Sequence, residues 1–353
     1  MHPETADLRI RSTKPLIAPA VLEEEFPQSD ASGRLVLRSR QEVAKIIRGL
    51  DDRLVVVVGP CSIHDPAAAR DYARLLLESS KRHAGSLLVV MRVYFEKPRT
   101  VIGWRGLISD PDLDGTFKIN HGLRLARGLM ADITDLGLPV GTEFLDTTLG
   151  QYYADLVSWG AIGARTVESQ VHRELASGLS MPVGFKNRTD GNVRVAIDAM
   201  KAASHPHWFP SLTREGAPAV LGSTGNEHTH LILRGGTMGP NFGEAAVNEA
   251  LEALSRDGLS RGVMVDCSHG NSGKDPERQP EVTEAVARQI EAGQEGLCGV
   301  MIESNLVGGA QPPDARPLVY GRSVTDACLS WEQTQPLLAR LAAAVEARRR
   351  RRR

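Results

Sequence analysis

Eight short apolar runs recur along the chain, and each leads to a side chain able to take part in chemistry. The runs are residues 55–58 before Cys61, 89–91 before Arg92, 140–142 before Glu143, 161–164 before Arg165, 183–185 before Lys186, 231–233 before Arg234, 263–265 before His269 and 300–302 before Glu303. Such runs between helical stretches are typical of strands buried on both faces of a parallel sheet. Active sites of (β/α)8 barrels lie at the carboxyl ends of the strands, so the pattern predicts an enzyme with an α/β, (β/α)8 TIM-barrel fold.

Longer stretches with helical periodicity separate these runs. Helices are predicted over residues 66–83, 120–136, 151–159, 191–204, 243–257, 278–293 and 334–348. A capping box at residues 39–42 predicts one more helix starting at residue 39, with an apolar face formed by Val43, Ile46, Ile47 and Leu50. Strands that alternate with helices in this way form βαβ units around a parallel sheet.

The sixth βα unit is ambiguous, because residues 207–210 and residues 230–234 could each be its strand. We therefore predict a β-hairpin inserted near strand six, and we place it after that strand. Residues 1–38 show little periodicity and are predicted to be an N-terminal arm, followed by the catalytic barrel over residues 39–347. The six arginines at 348–353 are predicted to be a frayed, solvated tail, with a polyanion-binding tail as the alternative.

Composition narrows the class of protein. The net charge of −1 gives the chain as a whole no attraction for nucleic acid or membranes, and no stretch approaches the ~18 apolar residues of a membrane span. The first 25 residues are charged and lack the apolar segment of a secretion signal. The four cysteines, without paired spacing, fit a reducing cytosol better than a disulfide framework. We expect a cytoplasmic enzyme that binds neither nucleic acid nor membrane.

Four of the chemically active side chains could form a metal site. Cys61, His269, Glu303 and Asp326 offer one sulfur, one imidazole and two carboxylates. The first three follow strands one, seven and eight, and strands one and eight are neighbours in a closed barrel. A mixed sulfur, nitrogen and oxygen set suits one divalent ion such as Mn, Fe, Co or Zn. A buried cysteine is more often a small apolar residue, so the prediction depends on the four converging.

A second group of side chains is cationic. Its members all follow strands on the same predicted face, and they are Arg92, Lys97, Arg99, Arg165, Lys186 and Arg234. Any one of them alone would be read as a solvated loop residue. Six together would repel one another unless anions lay between them, and Arg and Lys are natural ligands of phosphate and carboxylate. The group predicts substrates with several anionic groups, such as sugar phosphates or phosphoenol acids.

These residues lie in longer segments with a recognisable order. The segments are GPCSIHD at 59–65, MRVYFEKPRT at 91–100, GAIGART at 160–166, PVGFKN at 182–187, DCSHGNS at 266–272 and SVTDAC at 323–328. Together they closely resemble the type I 3-deoxy-D-arabino-heptulosonate-7-phosphate (DAHP) synthases of the microbial, feedback-regulated subfamily. The resemblance implies a metal-dependent condensation of phosphoenolpyruvate with erythrose 4-phosphate, the first step of the shikimate pathway.

The resemblance also implies roles for single residues. The metal ligands would be Cys61, His269, Glu303 and Asp326. The phosphoenolpyruvate site would consist of Arg92, Lys97, Glu143, Gly163, Ala164, Arg165, Lys186 and Arg234. The erythrose 4-phosphate segment would be Lys97, Pro98, Arg99 and Thr100. Catalysis would fall to Lys97, Cys61 and His269, with Lys97 as general acid or base and its pKa lowered by cationic neighbours.

The resemblance also extends to regulation. The family's aromatic amino-acid pocket matches Gln151, Leu175, Leu179, Ser180 and Ser211. Tyrosine or phenylalanine is favoured over tryptophan, and an apolar arm suggests a homodimer or homotetramer. Two departures stand out: Gly150, where many regulated members carry proline, and Arg188, where glycine is usual. Glycine at position 150 loosens the backbone, and Arg188 is expected to point to solvent.

Two other functions are compatible with parts of the sequence. A 3-deoxy-octulosonate-8-phosphate synthase would run the same condensation on a five-carbon sugar phosphate, but the segment at residues 97–100 and the long arm argue against it. A catalytically inactive regulatory homologue would be expected to have lost a metal ligand or an anion-binding side chain. All of them are present in this chain.

Overall fold

A closed barrel of eight parallel strands forms the centre of the chain. The computed structural model describes residues 5–99, 101–259 and 262–352. The strands are β1 (Leu54–Gly59), β2 (Leu87–Arg92), β3 (Val140–Glu143), β4 (Trp159–Ile162), β5 (Val183–Lys186), β6 (Trp208–Leu212), β7 (Pro218–Gly222), β8 (Thr229–Leu233), β9 (Val263–Asp266) and β10 (Leu297–Glu303). The barrel closes in the order β1-β10-β9-β8-β5-β4-β3-β2, which confirms the predicted (β/α)8 fold.

Helices alternate with the barrel strands. They are α1 (Pro19–Glu25), α2 (Asp30–Ile47), α3 (Pro66–His83), α4 (Ile119–Asp135), α5 (Gln170–Gly178), α6 (Arg194–Ala203), α7 (Glu244–Arg256), α8 (His269–Ser272), α9 (Gln279–Glu291) and α10 (Trp331–Arg351). Most of the predicted helices are confirmed to within a few residues. Across residues 5–99, 101–259 and 262–352, no helix combines the length and apolar character needed to cross a bilayer.

The apolar residues pack in two layers because successive side chains of a strand point to opposite faces. Val55 and Val57 of β1 point into the barrel, where they meet side chains of the other strands. Val56 and Val58 point outward and pack under the helices. Residues of α2 join the interior cluster, and Gly262, just before β9, lies against Ile47. Thus α2 covers the amino-terminal end of the barrel and leaves the carboxyl-terminal end open.

The predicted start of the helix near residue 39 is wrong. α2 begins nine residues earlier, at Asp30, and its N-cap is Ser29, whose hydroxyl accepts a hydrogen bond from Ser32 N at 3.1 Å. Ser39 lies buried in mid-helix and donates to Leu35 O at 2.8 Å. Leu50 is 69% exposed, because the helix has ended before it. α2 also spans residues 38 and 39, between which the predicted arm ends and the predicted barrel begins. The division into arm, barrel and tail stays a prediction.

Two further expectations change around the middle of the chain. The hairpin consists of the antiparallel pair β6 and β7. It precedes the sixth barrel strand β8, so its predicted place after that strand is wrong. The helix predicted over residues 151–159 is absent from this described stretch, which instead forms two short 3-10 turns, Leu149–Tyr152 and Ala154–Leu156. Trp159 belongs to β4, because its indole fills the barrel interior.

The arginine tail is not frayed over the residues described. α10 continues to Arg351, and Arg348 is buried, donating to the backbone carbonyls of Asp52 and Gln294. Arg349 pairs with the Asp52 carboxylate at 2.5 Å. Backbone carbonyls and the Asp52 carboxylate therefore order Arg348 and Arg349, which were predicted to be solvated.

A buried histidine inside the barrel predicts an acid-sensitive fold. His230 on β8 accepts a hydrogen bond from Trp159 Nε1 at 2.8 Å, and burial lowers the pKa of His230 to about 4. Between pH 6.5 and 4 the unfolded chain gains a proton on this histidine that the folded chain excludes. The free energy of unfolding is therefore expected to have its full value above pH 6.5 and to fall by about 3 kcal/mol as the pH drops to 4.

Thermal unfolding of the wild type and of His230→Gln at pH 7.5, 5.5 and 4.5 measures this contribution. Glutamine can still accept from the indole but does not titrate, so the variant is expected to lose less stability on acidification. An identical pH dependence in both proteins would exclude His230 as a source of the acid sensitivity.

Candidate active site

The open end of the barrel gathers the chemically active side chains. β2 ends at Arg92, β3 at Glu143, β5 at Lys186 and β10 at Glu303, so four of the predicted residues are themselves the last residues of strands. Others follow within a few residues: Cys61 after β1, Arg165 after β4, Arg234 after β8 and His269 after β9. The parallel arrangement places all of them at one rim.

Three of the four predicted metal ligands form a compact cluster. The Cys61 thiol and carboxylate oxygens of Glu303 and Asp326 lie within 4.8 Å of one another. The separation between Cys61 Sγ and Asp326 Oδ2 is 3.8 Å. Cys61 and Glu303 are fully buried, and Asp326 opens toward the cavity. His269 stands beside this cluster, with its Nε2 3.8 Å from Glu303 Oε1.

The charges in this cluster suit a divalent cation. Burial raises the pKa of the Cys61 thiol and Glu303 raises it further, whereas the charges of Lys97 and Arg92 lower it, so a thiolate here depends on positive charge beside it. Burial also acts to raise the pKa of Glu303, but His269 and Arg92 outweigh it and lower that pKa. One sulfur and two carboxylates thus lie together with an imidazole beside them, and donors of these types fit a borderline divalent ion.

Arg92 lies beneath this cluster and does not line the substrate cavity. Its guanidinium is 1% exposed and donates to Glu303 Oε1 at 3.0 Å and to the carbonyls of Pro60 and Cys61. It also lies 3.5 Å above the centre of the Tyr94 ring. Through these contacts Arg92 holds Glu303 in place. Direct binding of phosphoenolpyruvate by Arg92 stays a prediction.

Lys97 is placed as expected, but the predicted direction of its pKa is wrong. Its ammonium is buried and donates to the Cys61 carbonyl at 3.3 Å. Burial lowers the pKa of Lys97, but Cys61 and Glu303 raise it by more, so the net pKa is raised. The charges of Cys61 and Glu303 therefore affect this ammonium more than the charge of its cationic neighbour Arg92 does. Lys97 is therefore charged at neutral pH.

A cavity of about 230 Å³ opens above these residues. It is lined by Lys97, Pro98, Arg99, Glu143, Gly163, Ala164, Arg165, Lys186, Thr189, Arg234, His269, Lys274 and Asp326. All the predicted substrate residues are in this set except Arg92, which lies below it, and Thr100, which lies outside the described residues. Six cationic side chains face two carboxylates, so the cavity is built for anions.

Close contacts between loops give the cavity its shape. A side chain at Gly163 would come within 2.1 Å of Glu143 Oε1, so only glycine leaves room for that carboxylate. A side chain at Gly235 would come within 2.4 Å of Gly270, and Gly235 has a positive φ of 70°. This approach brings the loop of Arg234 against the loop of His269. Arg165 reaches across to the Pro98 carbonyl at 2.8 Å.

Sequence reasoning missed several residues at this rim. Asp266, the last residue of β9, contacts both Lys186 and His269. Asn187 accepts from Arg234 N at 2.8 Å and donates to Gly235 O at 3.0 Å, which joins two loops. Lys274 adds a sixth cation to the cavity lining. Asp266 and Asn187 have the same position relative to a strand end as the residues that were found, and that signal could have identified them.

A second, larger cavity of about 720 Å³ lies away from the rim. Four of the five predicted effector residues line it: Gln151, Leu175, Leu179 and Ser180. Ser211 is on the neighbouring hairpin strand but is not part of the lining, and Phe209 and Leu221 take that side. Gly150 also lines the cavity, and a side-chain carbon added to it would lie 3.1 Å from the Phe144 ring.

The unusual Arg188 does not enter the catalytic cavity. Its guanidinium pairs with Glu168 at 2.8 Å and with Asp190, and it is 38% exposed. The arginine therefore adds an ion-paired contact between two loops at the edge of the rim. Its direction agrees with the expectation that it points toward solvent.

The fold and rim define a (β/α)8-barrel enzyme with an anion cavity beside a cluster of side chains that could hold a metal ion. The family model described as "DAHP synthetase I family" matches residues 26–339. The chain is 53% identical over 350 residues to "Phospho-2-dehydro-3-deoxyheptonate aldolase, Phe-sensitive" of Escherichia coli (strain K12), covering 99% of this chain and 100% of the relative. The chain belongs to the DAHP synthetase I family and is an enzyme of it.

Two other relatives support the same assignment. A "tyrosine-inhibited" phospho-2-dehydro-3-deoxyheptonate aldolase of Schizosaccharomyces pombe is 50% identical, over 97% of this chain and 94% of the relative. The solved structure of the phospho-2-dehydro-3-deoxyheptonate aldolase from Francisella tularensis SCHU S4 superposes with a TM-score of 0.95 at 53% identity, over 96% of this chain and 99% of that one. Neither alternative function receives support from these comparisons.

Proposed function

We propose that this rim carries out the reaction of its family. The chain condenses phosphoenolpyruvate with erythrose 4-phosphate and water, giving 3-deoxy-D-arabino-heptulosonate 7-phosphate and inorganic phosphate, the first step of the shikimate pathway. The observation that carries the proposal is the cavity in which six cations adjoin a thiol, an imidazole and two carboxylates. Two phosphorylated substrates and one carboxylate need that many positive charges in one place.

The cations divide between the two substrates. Arg165, Lys186 and Arg234, which line the same cavity, bind the phosphate and carboxylate of phosphoenolpyruvate. Arg99 binds the phosphate of erythrose 4-phosphate. The Arg165–Pro98 contact brings the two sites together, so C3 of phosphoenolpyruvate is held against the aldehyde carbon. Orientation of this kind replaces a bimolecular collision by a positioned reaction.

The metal site fits one divalent ion, and Cys61, His269, Glu303 and Asp326 would hold it. When bound, the ion supplies Lewis-acid polarisation of the aldehyde oxygen. The raised pKa of Lys97 makes it the proton donor: as C3 bonds to the aldehyde carbon, the new alkoxide takes a proton from the Lys97 ammonium. Water then adds to C2 and its proton returns to the neutral Lys97 amine. The resulting hemiketal phosphate breaks its bond between C2 and the phosphate oxygen, and its hydroxyl proton leaves with inorganic phosphate as the ketone forms.

The direct test is phosphate release from purified protein with both substrates. Activity is expected with erythrose 4-phosphate, loss of activity with a chelator, and recovery when Mn²⁺, Fe²⁺, Co²⁺ or Zn²⁺ is restored. The rates of phosphate release that each ion restores rank the four metals. We propose that the native ion is one of these four. A preference for arabinose 5-phosphate would contradict the assignment of the sugar substrate.

We also propose the assembly and location of the enzyme. Arm residues Leu8 and Ile10 and hairpin residues Trp208 and Val220 are more than half exposed, which supports a homodimer or homotetramer formed through these segments. Light scattering on the intact chain measures the mass directly. The four cysteines are buried and free, which supports a cytoplasmic location.

The large cavity is proposed to bind an aromatic amino acid. Its apolar wall contains Leu175, Leu179 and Phe209, and polar groups of Gln151 and Ser180 lie at its edge. Millimolar L-phenylalanine or L-tyrosine is expected to inhibit the enzyme, with less effect from L-tryptophan. Ser180→Trp is expected to fill the cavity and to abolish inhibition while leaving the uninhibited rate within about twofold.

Val171→Trp is the matched control, because it adds the same side chain nearby, on α5, at a position that is 51% exposed and outside the cavity lining. Its inhibition is expected to equal that of the wild type. Wild-type insensitivity to all three amino acids, or full inhibition of Ser180→Trp, would contradict the proposed effector site.

A further inference from the structure

One carboxylate lies between the metal cluster and the cations of the substrate cavity. Asp266 is fully buried at the end of β9, and its Oδ2 is 2.8 Å from Lys186 Nζ and 2.9 Å from His269 Nδ1. Its other oxygen accepts from Ser268 N at 3.0 Å, which fixes the orientation of the carboxylate. A single oxygen thus contacts a cation of the substrate cavity and an imidazole of the metal site.

The imidazole of His269 lies between Asp266 and the metal cluster, with one ring nitrogen on each side. Nδ1 lies on the Asp266 side, and Nε2 lies 3.8 Å from Glu303 Oε1. The Nδ1 contact is at ion-pair distance, although the ring N–H is not aligned on the oxygen as a hydrogen bond requires. His269 also has a left-handed backbone with φ of 55°, an uncommon state for a residue other than glycine. A proton held on Nδ1 leaves the Nε2 lone pair free for a metal.

The contact with Lys186 positions a cation of the substrate cavity. Lys186 is 4% exposed, and the cationic residues Arg165 and Arg234 share its cavity. Without a nearby negative charge, the ammonium would be repelled by these neighbours. Asp266 holds it at the floor of the cavity while leaving two of its three N–H groups to face an incoming anion.

We propose that Asp266 is a positioning residue that couples metal binding to phosphoenolpyruvate binding. It acts on the ion through His269 and on the substrate through Lys186. Because the same oxygen contacts both side chains, the position of His269 and the position of Lys186 depend on each other. The inference deepens the proposed function and rests on the metal site described there. A purely structural ion pair would affect stability but would leave the two binding affinities unchanged in the folded protein.

The test compares full-length wild type, Asp266→Asn and Asp257→Asn. Asp257 is the matched control, because it also pairs with two cations, Arg194 and Lys201, but lies at the end of α7 outside the catalytic cavity. Co²⁺ affinity is measured by competition with a chromophoric chelator, and the visible Co²⁺ spectrum reports the coordination geometry. Michaelis constants for each substrate are measured at saturating metal.

Asp266→Asn is expected to weaken Co²⁺ binding about ten- to a hundredfold, to alter the Co²⁺ spectrum and to raise KM for phosphoenolpyruvate more than KM for erythrose 4-phosphate. Asp257→Asn is expected to match the wild type in all three. Asp266→Glu, which keeps the charge, is the second variant should the asparagine variant not fold, and it is expected to change the spectrum with a smaller loss of affinity.

Two different results would overturn different parts of this inference. If the wild-type protein does not bind Co²⁺, the chain has no metal site, and the proposed function loses its basis. Wild-type affinity, spectrum and Michaelis constants in folded Asp266 variants would exclude the positioning role while leaving the metal site intact.

Discussion

Replacing Cys61 with alanine is expected to remove both the bound metal and at least 1,000-fold of the condensation rate, on the order of 4 kcal/mol in transition-state stabilisation. Cys61 offers the one sulfur in the cluster with Glu303 and Asp326, and thiolate is the donor that separates borderline ions from Mg²⁺ and Ca²⁺. The side chain is small and fully buried, so the loss of its sulfur leaves the barrel otherwise intact.

Metal content by elemental analysis and phosphate release measure the two effects on the same preparation. Cys298→Ala is the matched control, because Cys298 is equally buried but lies at the opposite end of β10 from Glu303. It is expected to retain both metal and activity. Full activity of metal-free Cys61→Ala would show that the ion is held elsewhere.

The second large effect is expected from two arginines with nearly the same local contacts. Arg99 donates to the Trp104 carbonyl and Arg165 to the Pro98 carbonyl, each at 2.8 Å, and both are exposed at the mouth of the cavity. Arg99→Ala is expected to raise KM for erythrose 4-phosphate about ten- to a hundredfold, and Arg165→Ala to raise KM for phosphoenolpyruvate by a similar factor.

Steady-state kinetics with one substrate varied at a time separate these outcomes. Each variant serves as the control for the other, because each removes one guanidinium and one backbone contact. Thermal unfolding is expected to show little difference from wild type for either. A reversed pattern, in which Arg99→Ala affects phosphoenolpyruvate, would exchange the two substrate positions in the cavity.

The ends of the barrel strands were predictable because their residues combine two signals. Apolar runs such as 55–58 and 300–302 mark strands buried on both faces, and the first reactive residue beyond each run falls at the open rim. Because parallel strands share one direction, these residues come together at one end of the barrel. This convergence can be predicted before any of their contacts is known. Cys61 and Glu303 converge in the structure as this reasoning required, whereas Asp326, which joins them, directly follows none of the described strands.

The sequence by itself therefore determined the barrel, its active end and most of the residues facing the substrates, because these follow from local periodicity and chain direction. Only the tertiary structure decided the rest, because it depends on contacts between distant segments. Thiol and carboxylate neighbours raise the pKa of Lys97, where sequence reasoning expected cations to lower it. Distant carbonyls order Arg348, and Glu303 draws Arg92 beneath the cavity. Asp266 acquires its contact with Lys186 only when β5 and β9 are brought to the same rim.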